Sequence, residues 1–136
     1  MARAGYALSI RQPWAALVVH GLKSIEVRAW PTARRGAVMI HAARIPDERP
    51  EAWAHVTDEV RDDAELRGGV IGAAELIGCR TYRTLAEFSA DRELHLNAPD
   101  WFKPVLYGFT FAEPKRSPFR PYPGWMRFFS VDEASK

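Results

Sequence analysis

The sequence contains few of the features that mark disulfide-rich, zinc-binding or membrane proteins. Cys79 is its single cysteine, so an internal disulfide is excluded, and no Cys/His spacing typical of zinc ligands occurs. No apolar run approaches the ~20 residues that a membrane span needs, since residues 15–19 are followed by His20. Arg3 is not followed by the apolar segment of a secretory signal. We therefore expect a cytoplasmic protein that uses no metal, no cofactor and no membrane.

Acidic residues are scarce in the first third of the chain. Residues 1–46 carry seven basic side chains and one acidic one, residues 47–65 carry eight acidic and two basic, and the remainder is nearly balanced. If the first segment forms one face of the fold, that face attracts a polyanion while the acidic segment faces away. The alternative is that folding intermixes both segments as solvated surface.

The length and composition are those of one globular domain. The chain has 136 residues, 47% hydrophobic and 26% charged, which predicts a single domain over residues 1–136. Alternation and short apolar runs predict strands over residues 6–10, 24–30, 37–42, 70–79, 105–112 and 125–131. Residues 114–123 hold four prolines, so we expect this segment to be extended but not a central strand.

Three helical segments are predicted. Pro13 at a first helical position and Gly21 at the end delimit a two-turn helix. Residues 49 or 50 through 64 predict one long helix, with Trp53, Val56 and Val60 as a narrow apolar stripe and an acidic outer face. Residues 84–87 have the pattern of a capping box, which predicts the start of a further helix.

Charged residues of both signs stand at residues 21–28, between apolar runs. In the predicted strand over residues 24–30, Ile25 and Val27 face inward, whereas Glu26 and Arg28 share the other face and Lys23 stands at its mouth. A carboxylate and a guanidinium placed in this way pair laterally or reach together toward one ligand. The simpler alternative is a solvated ion pair that contributes under ~1 kcal/mol.

Two polar residues lie in strands that are apolar on both faces. Glu75 must find a cation, reach the mouth of the sheet or stay protonated, because an unpaired buried carboxylate would cost several kcal/mol. Lys23 and Arg28 are the cations expected near it, and a structural ion pair is the alternative. His41 is either a hydrogen-bonded core histidine, the commoner situation, or a donor that lines a pocket near Lys23.

The residues Gly21, Lys23, Glu26 and Arg28 resemble the G-x-K-x-x-E-x-R signature of the ASCH domain family. The resemblance covers about residues 6–131, and its other matching segments are residues 8–15, 30–32, 35–36, 40–42, 69–72, 76 and 107–109. It implies an α+β fold, a small PUA-like mixed β-barrel of about five to six strands with flanking helices. PUA-type folds bind RNA, which makes RNA binding the first expectation.

The resemblance also implies a cleft between the barrel and the helices. Lys23, Glu26 and Arg28 would line this cleft, and the expected rim comprises Ser9, Gln12, Trp14 and Thr32. The remaining candidate ligand-binding residues are Trp30, Arg35 and His41. Trp14 or Trp30 would stack on a base, and we expect one or two of the five tryptophans to be available for stacking.

These residues support three hypotheses about function. The leading one is a module that binds single-stranded RNA or a modified nucleotide or nucleoside, with DNA as a further ligand, in a monomer or weak dimer. The second is an enzyme, either a small amidohydrolase acting on acylated cytidine-type nucleosides or a ribonuclease, with Lys23, Glu26 and Glu75 as catalytic residues. Amidohydrolase-like relatives have threonine where this chain has Glu26. The third is a protein-interaction role.

Overall fold

The fold is one six-stranded sheet, curled into a half-barrel, with short helices packed against it. The computed structural model describes residues 4–132, and the strand order is β2-β5-β4-β3-β1-β6. The elements are β1 Ala4–Ile10, α1 Trp14–Val19, β2 Ile25–Arg28, β3 Gly36–Ala42, α2 Pro50–Trp53, α3 Asp58–Ala64, β4 Gly69–Tyr82, α4 Leu85–Ala90, α5 Arg92–His95, a 3₁₀ turn Pro99–Trp101, β5 Leu106–Pro121 and β6 Phe128–Asp132. β1 and β3 are parallel and the other pairs antiparallel. The predicted α+β class is confirmed.

The core lies between the concave face of the sheet and α1. All six residues of α1 are buried, which explains why this short segment is apolar on every side. Gly21 follows it with a φ of 79°, a left-handed conformation that glycine adopts without strain. The chain therefore reverses within three residues and enters β2 directly after Lys23. Among residues 4–132, no helix has the length and apolar character needed to cross a membrane.

The predicted long helix over residues 50–64 is wrong, because this segment forms α2 and α3 with a break between them. Thr57 is extended, with φ −91° and ψ 172°, and precedes α3, whose first turn holds Asp58 and Glu59. Threonine followed by two acids is a helix-start pattern, and it overrides the apolar stripe. Trp53, Val56 and Val60 nevertheless all pack on the core.

β5 extends beyond its predicted end at residue 112 and continues to Pro121. Its first half lies between β2 and β4, whereas its proline-rich second half pairs with β4 alone. A proline can occupy such a strand because it has no amide to donate on the open side. The expectation of an extended but non-central segment therefore agrees with the structure. The capping box at Thr84 and Glu87 is also present.

Candidate functional site

A cavity of about 360 Å³ opens where β1, α1 and β2 meet the segment before α2. Four basic and two acidic side chains line it, together with five neutral residues. The lining residues are Ser9, Arg11, Trp14, Lys23, Glu26, Val27, Arg28, Ala43, Asp47, Arg49 and Asn97. Five of the predicted site residues therefore line the same cavity: Ser9, Trp14, Lys23, Glu26 and Arg28.

Lys23 is the most buried cation of the cavity, with 2% of its surface exposed. Its Nζ donates to the carbonyl oxygen of His95, lies 3.7 Å from Glu26 Oε1 and stands 4.6 Å above the ring of Trp14. Burial lowers the pKa of Lys23 to about 8, although Glu26 opposes that shift, and Arg28 lowers it further. Desolvation outweighs the carboxylate because the ammonium has lost nearly all of its water.

Glu26 and Arg28 pair laterally along β2. Arg28 Nε donates to Glu26 Oε2 over 3.1 Å. Arg28 Nη2 lies 3.0 Å from the same oxygen as an ion pair and donates to the carbonyl oxygen of Ser9 over 2.8 Å. The bond to Ser9 joins β2 to β1 across the curl of the sheet, although the two strands are not neighbours in it. The pair is therefore fixed in the cavity wall rather than on a flat outer surface.

The opposite wall depends on Asp47, which is not among the site residues predicted from the sequence. Arg49 donates to this carboxylate through Nη2 over 2.6 Å and through Nε over 3.0 Å, and Trp14 Nε1 donates to it over 2.8 Å. Burial acts to raise the pKa of Asp47, but hydrogen bonds from Arg49 and Trp14 prevail and lower it to about 2. The Arg49 guanidinium lies 3.5 Å from the ring centre of Trp101.

Gln12 does not lie at the rim, because its amide is used inside the protein. The residue has 0% exposure. Its Nε2 donates to the carbonyl oxygens of Asp63 and Leu66 over 2.7 and 3.1 Å, and its Oε1 accepts from Ala16 N over 3.0 Å. This side chain satisfies an amide in the first turn of α1 and joins α1 to the end of α3.

His41 and Glu75 are also placed away from Lys23. His41 Nε2 donates to the Tyr122 carbonyl oxygen over 2.6 Å and its Nδ1 lies 3.0 Å from Ser9 Oγ, so it is a hydrogen-bonded core histidine whose burial lowers its pKa. Glu75 alternates with the buried Ala74 and Leu76 and shares its face with the exposed Ile77. The carboxylate therefore lies on the other face of β4, and the expected contact with Lys23 is absent.

Trp30, Thr32 and Arg35 are not among the lining residues either. Trp30 packs edge-on against Phe109 and Phe128, at 5.0 and 5.7 Å between ring centres. Thr32 and the exposed Arg35 hydrogen-bond within their own loop. Neither ring expected to stack is open: Trp30 is packed, and Trp14 is buried beneath Lys23.

Arg11, Asp47, Arg49 and Asn97 are the polar lining residues that sequence reasoning missed. Arg11 lies within residues 8–15, one of the segments that resemble the family, and it follows β1 directly. Its place beside Ser9 could therefore have been predicted from the sequence. Asp47 is placed at the cavity by long-range hydrogen bonds to Trp14 and to the Gln12 carbonyl oxygen, and Arg49 follows through its pair with Asp47. Local sequence gives no pattern for such bonds. Among the described residues, no group of three or more His, Cys, Asp or Glu side chains could hold a metal ion.

The curled mixed sheet, its flanking helices and the ionic cavity beside β2 define a PUA-like α+β protein. The family model described as the ASCH domain matches residues 8–125. The chain therefore belongs to the ASCH domain family.

Two curated relatives share this region. The chain is 29% identical over 103 residues to activating signal cointegrator 1 of Homo sapiens, which covers 70% of the chain and 18% of that protein. It is 34% identical over 91 residues to the same-named protein of Mus musculus, covering 61% of the chain and 16% of that protein. The chain thus spans less than a fifth of these relatives.

Solved structures show the same fold. The crystal structure of ASCH from Zymomonas mobilis aligns with a TM-score of 0.61 at 16% identity, covering 85% of this chain and 72% of that one. A mutant form of that protein aligns with a TM-score of 0.61, also at 16% identity, covering 85% and 74%. At this identity the likeness describes the fold of the sheet and helices and nothing further.

Proposed function

We propose that the cavity binds one nucleotide of a single-stranded nucleic acid, with RNA preferred to DNA. The observation that carries the proposal is the charge of the cavity wall. Both lining carboxylates are already paired, Glu26 with Arg28 and Asp47 with Arg49, whereas Arg11 and Lys23 add positive charge beyond these pairs. An excess of donors and positive charge around a volume of this size suits a phosphate or a polar base edge.

The preference for RNA rests on membership of a PUA-like family. The relatives named activating signal cointegrator 1 share the region with this chain, but the matched region makes up only 18% and 16% of those proteins. We therefore assign to this chain the binding role of the shared domain and not the activity of the whole relatives.

The direct test is titration of fluorescein-labelled single-stranded RNA, single-stranded DNA and duplex oligonucleotides at low and moderate salt. Arg11→Ala removes an exposed cation from the cavity mouth, so we expect weaker binding of every single strand. Arg61→Ala is the matched control, since Arg61 lies on α3 away from the cavity and pairs with Asp58 at 3.3 Å. Absence of binding at low salt to all probes would end the proposal, because phosphate-dependent binding is tightest there.

Lys23→Ala separates a role in binding from a role in folding. If Lys23 serves the ligand, this variant loses binding with little change in melting temperature. A large fall in melting temperature would instead assign Lys23 to the structure, where it holds the carbonyl of His95.

A second candidate function is hydrolysis of an acylated cytidine-type nucleoside. The observation in its favour is that the pKa of Lys23 is lowered to about 8 by burial, so a usable fraction of the amine is neutral near pH 7. Glu26 Oε1 lies 3.7 Å from Lys23 Nζ and would exchange a proton with it once the two close to hydrogen-bond distance. Turnover of N4-acetylcytidine that disappears in Lys23→Ala would support an enzyme. Glu75 has no part in this mechanism, since it lies on the other face of the sheet. The same incubations with labelled RNA, followed by gel analysis, test for cleavage.

A further inference from the structure

The segment between β5 and β6 displays its two largest apolar side chains to solvent. Trp125 is 67% exposed and Met126 is 89% exposed. The other four tryptophans, Trp14, Trp30, Trp53 and Trp101, are buried or half-buried. Tryptophan side chains are on average largely buried. The exposed fraction of Trp125 is therefore unusual, and it suggests that the ring contacts a ligand.

The segment that carries Trp125 is held in place by contacts with the core. The Tyr122 carbonyl oxygen accepts from His41 Nε2 over 2.6 Å, and a Cβ at Gly124 would stand 2.7 Å from His41 Cε1, so only glycine permits this approach of the backbone. On the far side, the Arg127 guanidinium lies 4.7 Å from the ring centre of Trp30. The segment is therefore held at both ends while Trp125 points outward.

Trp125 also lies beside the Lys23 cavity. A second cavity of about 350 Å³ is lined by Trp125 and Met126 together with Ser9, Ala43 and the exposed Arg44. Ser9 and Ala43 line both cavities, so the two hollows share a wall. A cation stands at each, Arg11 at the first and Arg44 at the second.

We propose that Trp125 is a stacking platform for the base next to the nucleotide held in the Lys23 cavity. The inference rests on the proposed function and adds a second subsite, so the ligand is a single strand of at least two nucleotides. The base stacks on the indole, and Arg44 contacts its phosphate. Aromatic faces hold successive bases of single strands in this way with little sequence preference, and cations follow the backbone.

The test compares a hexamer with a monomer. Affinities of wild type, Trp125→Leu and Trp125→Tyr are measured for fluorescein-labelled A6 RNA by anisotropy, with AMP as competitor. We expect Trp125→Leu to weaken A6 binding roughly tenfold or more, the range for loss of one stacked base, and to leave AMP affinity unchanged. Trp125→Tyr keeps an aromatic face and retains most of the affinity. Ile77→Ala is the control, since Ile77 is an exposed apolar residue on the other face of the sheet.

Each other outcome decides against the platform. If Trp125→Leu changes A6 and AMP binding equally, or changes neither, the platform is wrong while the cavity remains the nucleotide site. If wild type binds neither probe, the proposed function and the platform fall together. If Trp125→Leu leaves A6 affinity intact but abolishes self-association of wild type in sedimentation experiments, the surface serves a second copy of the chain instead.

Discussion

Lys23 is a buried cation whose two protonation states have opposite consequences for binding and for stability. Its pKa is lowered from the ordinary 10.5 to about 8, first by burial. A proton that the unfolded chain holds up to pH 10.5 is thus released by the folded chain near pH 8. Stability is reduced by this group below pH 8, and the deficit disappears as the pH rises through the window between the two values.

The first prediction follows from this rise of stability with pH. Between pH 8 and 10 the free energy of unfolding of wild type should rise relative to Lys23→Met, by up to about 3 kcal/mol for the whole window to 10.5. RNA affinity of wild type should fall over the same range, because the cavity loses one positive charge. Urea unfolding and anisotropy at pH 7, 8, 9 and 10 measure both. Parallel pH profiles for the two proteins would show that Lys23 has its ordinary pKa.

Gln12 carries the second prediction, since the same position was expected to contact ligand. Its side chain makes three hydrogen bonds to backbone groups of α1, of α3 and of the segment after α3. Gln12→Leu keeps a similar size and removes the partner of Ala16 N and one donor to each of the two carbonyl oxygens, so we expect a loss of about 2–4 kcal/mol in the free energy of unfolding. RNA affinity of the folded protein should not change. If Gln12→Leu keeps its stability but binds RNA more weakly, Gln12 contacts the ligand after all.

At the scale of elements, β4 and β5 approach each other closely at Gly72. A Cβ at Gly72 would lie 2.1 Å from the Lys115 carbonyl oxygen and 2.7 Å from Val19 Cγ1. Backbone of β5 and a buried side chain of α1 both occupy that space, so neither can move without disturbing the sheet.

The third prediction is a matched pair of substitutions in β4. Gly72→Ala should destabilise the fold by roughly 3 kcal/mol or more, because the strands must separate. Gly78→Ala is the control in the same strand, where the nearest atoms, on Thr110, are 3.7 Å away. That change should lie within about 1 kcal/mol of wild type, since alanine suits a strand no worse than glycine. Thermal and urea unfolding compare the two, and equal effects would contradict the close approach.

The elements also show what the sequence could and could not predict. The buried α1, the capping box and five of the six strands follow from local periodicity, caps and glycine stops, so they were predictable within a few residues. The end of β5 was not, because the strand continues through the proline-rich segment to Pro121. The break before Asp58 had a local signal, and the apolar stripe obscured it. No local signal indicated on which face of the sheet Glu75 lies, because its strand is apolar on both faces. That face is determined only by the register of β4 against Ala37 and Ala112.

For the molecule as a whole, folding only partly preserves the polarised charge of the sequence. Arg11, Lys23 and Arg28 from the basic first segment converge on the cavity. Asp63 from the acidic segment, however, pairs with Arg116 and His20, each at 2.7 Å, and Arg49 from the same segment joins the cavity. Attraction for a polyanion is therefore concentrated at the cavity, and the charges elsewhere are intermixed.

The fourth prediction concerns the salt dependence that this arrangement produces. Four basic side chains line the cavity and the two carboxylates there offset two of them, while Arg44 at the second cavity adds one more, so about three phosphates of A6 RNA are neutralised. For a single strand the slope of log affinity against log salt should then be about −2.1. Arg11→Ala should reduce its magnitude by about 0.7, whereas Arg61→Ala should leave it unchanged. Anisotropy titrations of A6 RNA from roughly 25 to 200 mM salt give the slope. A slope of about −3.5 would mean that Arg28 and Arg49 leave their carboxylates to bind phosphate, and the ion pairs in the cavity wall would then exist in the free protein alone.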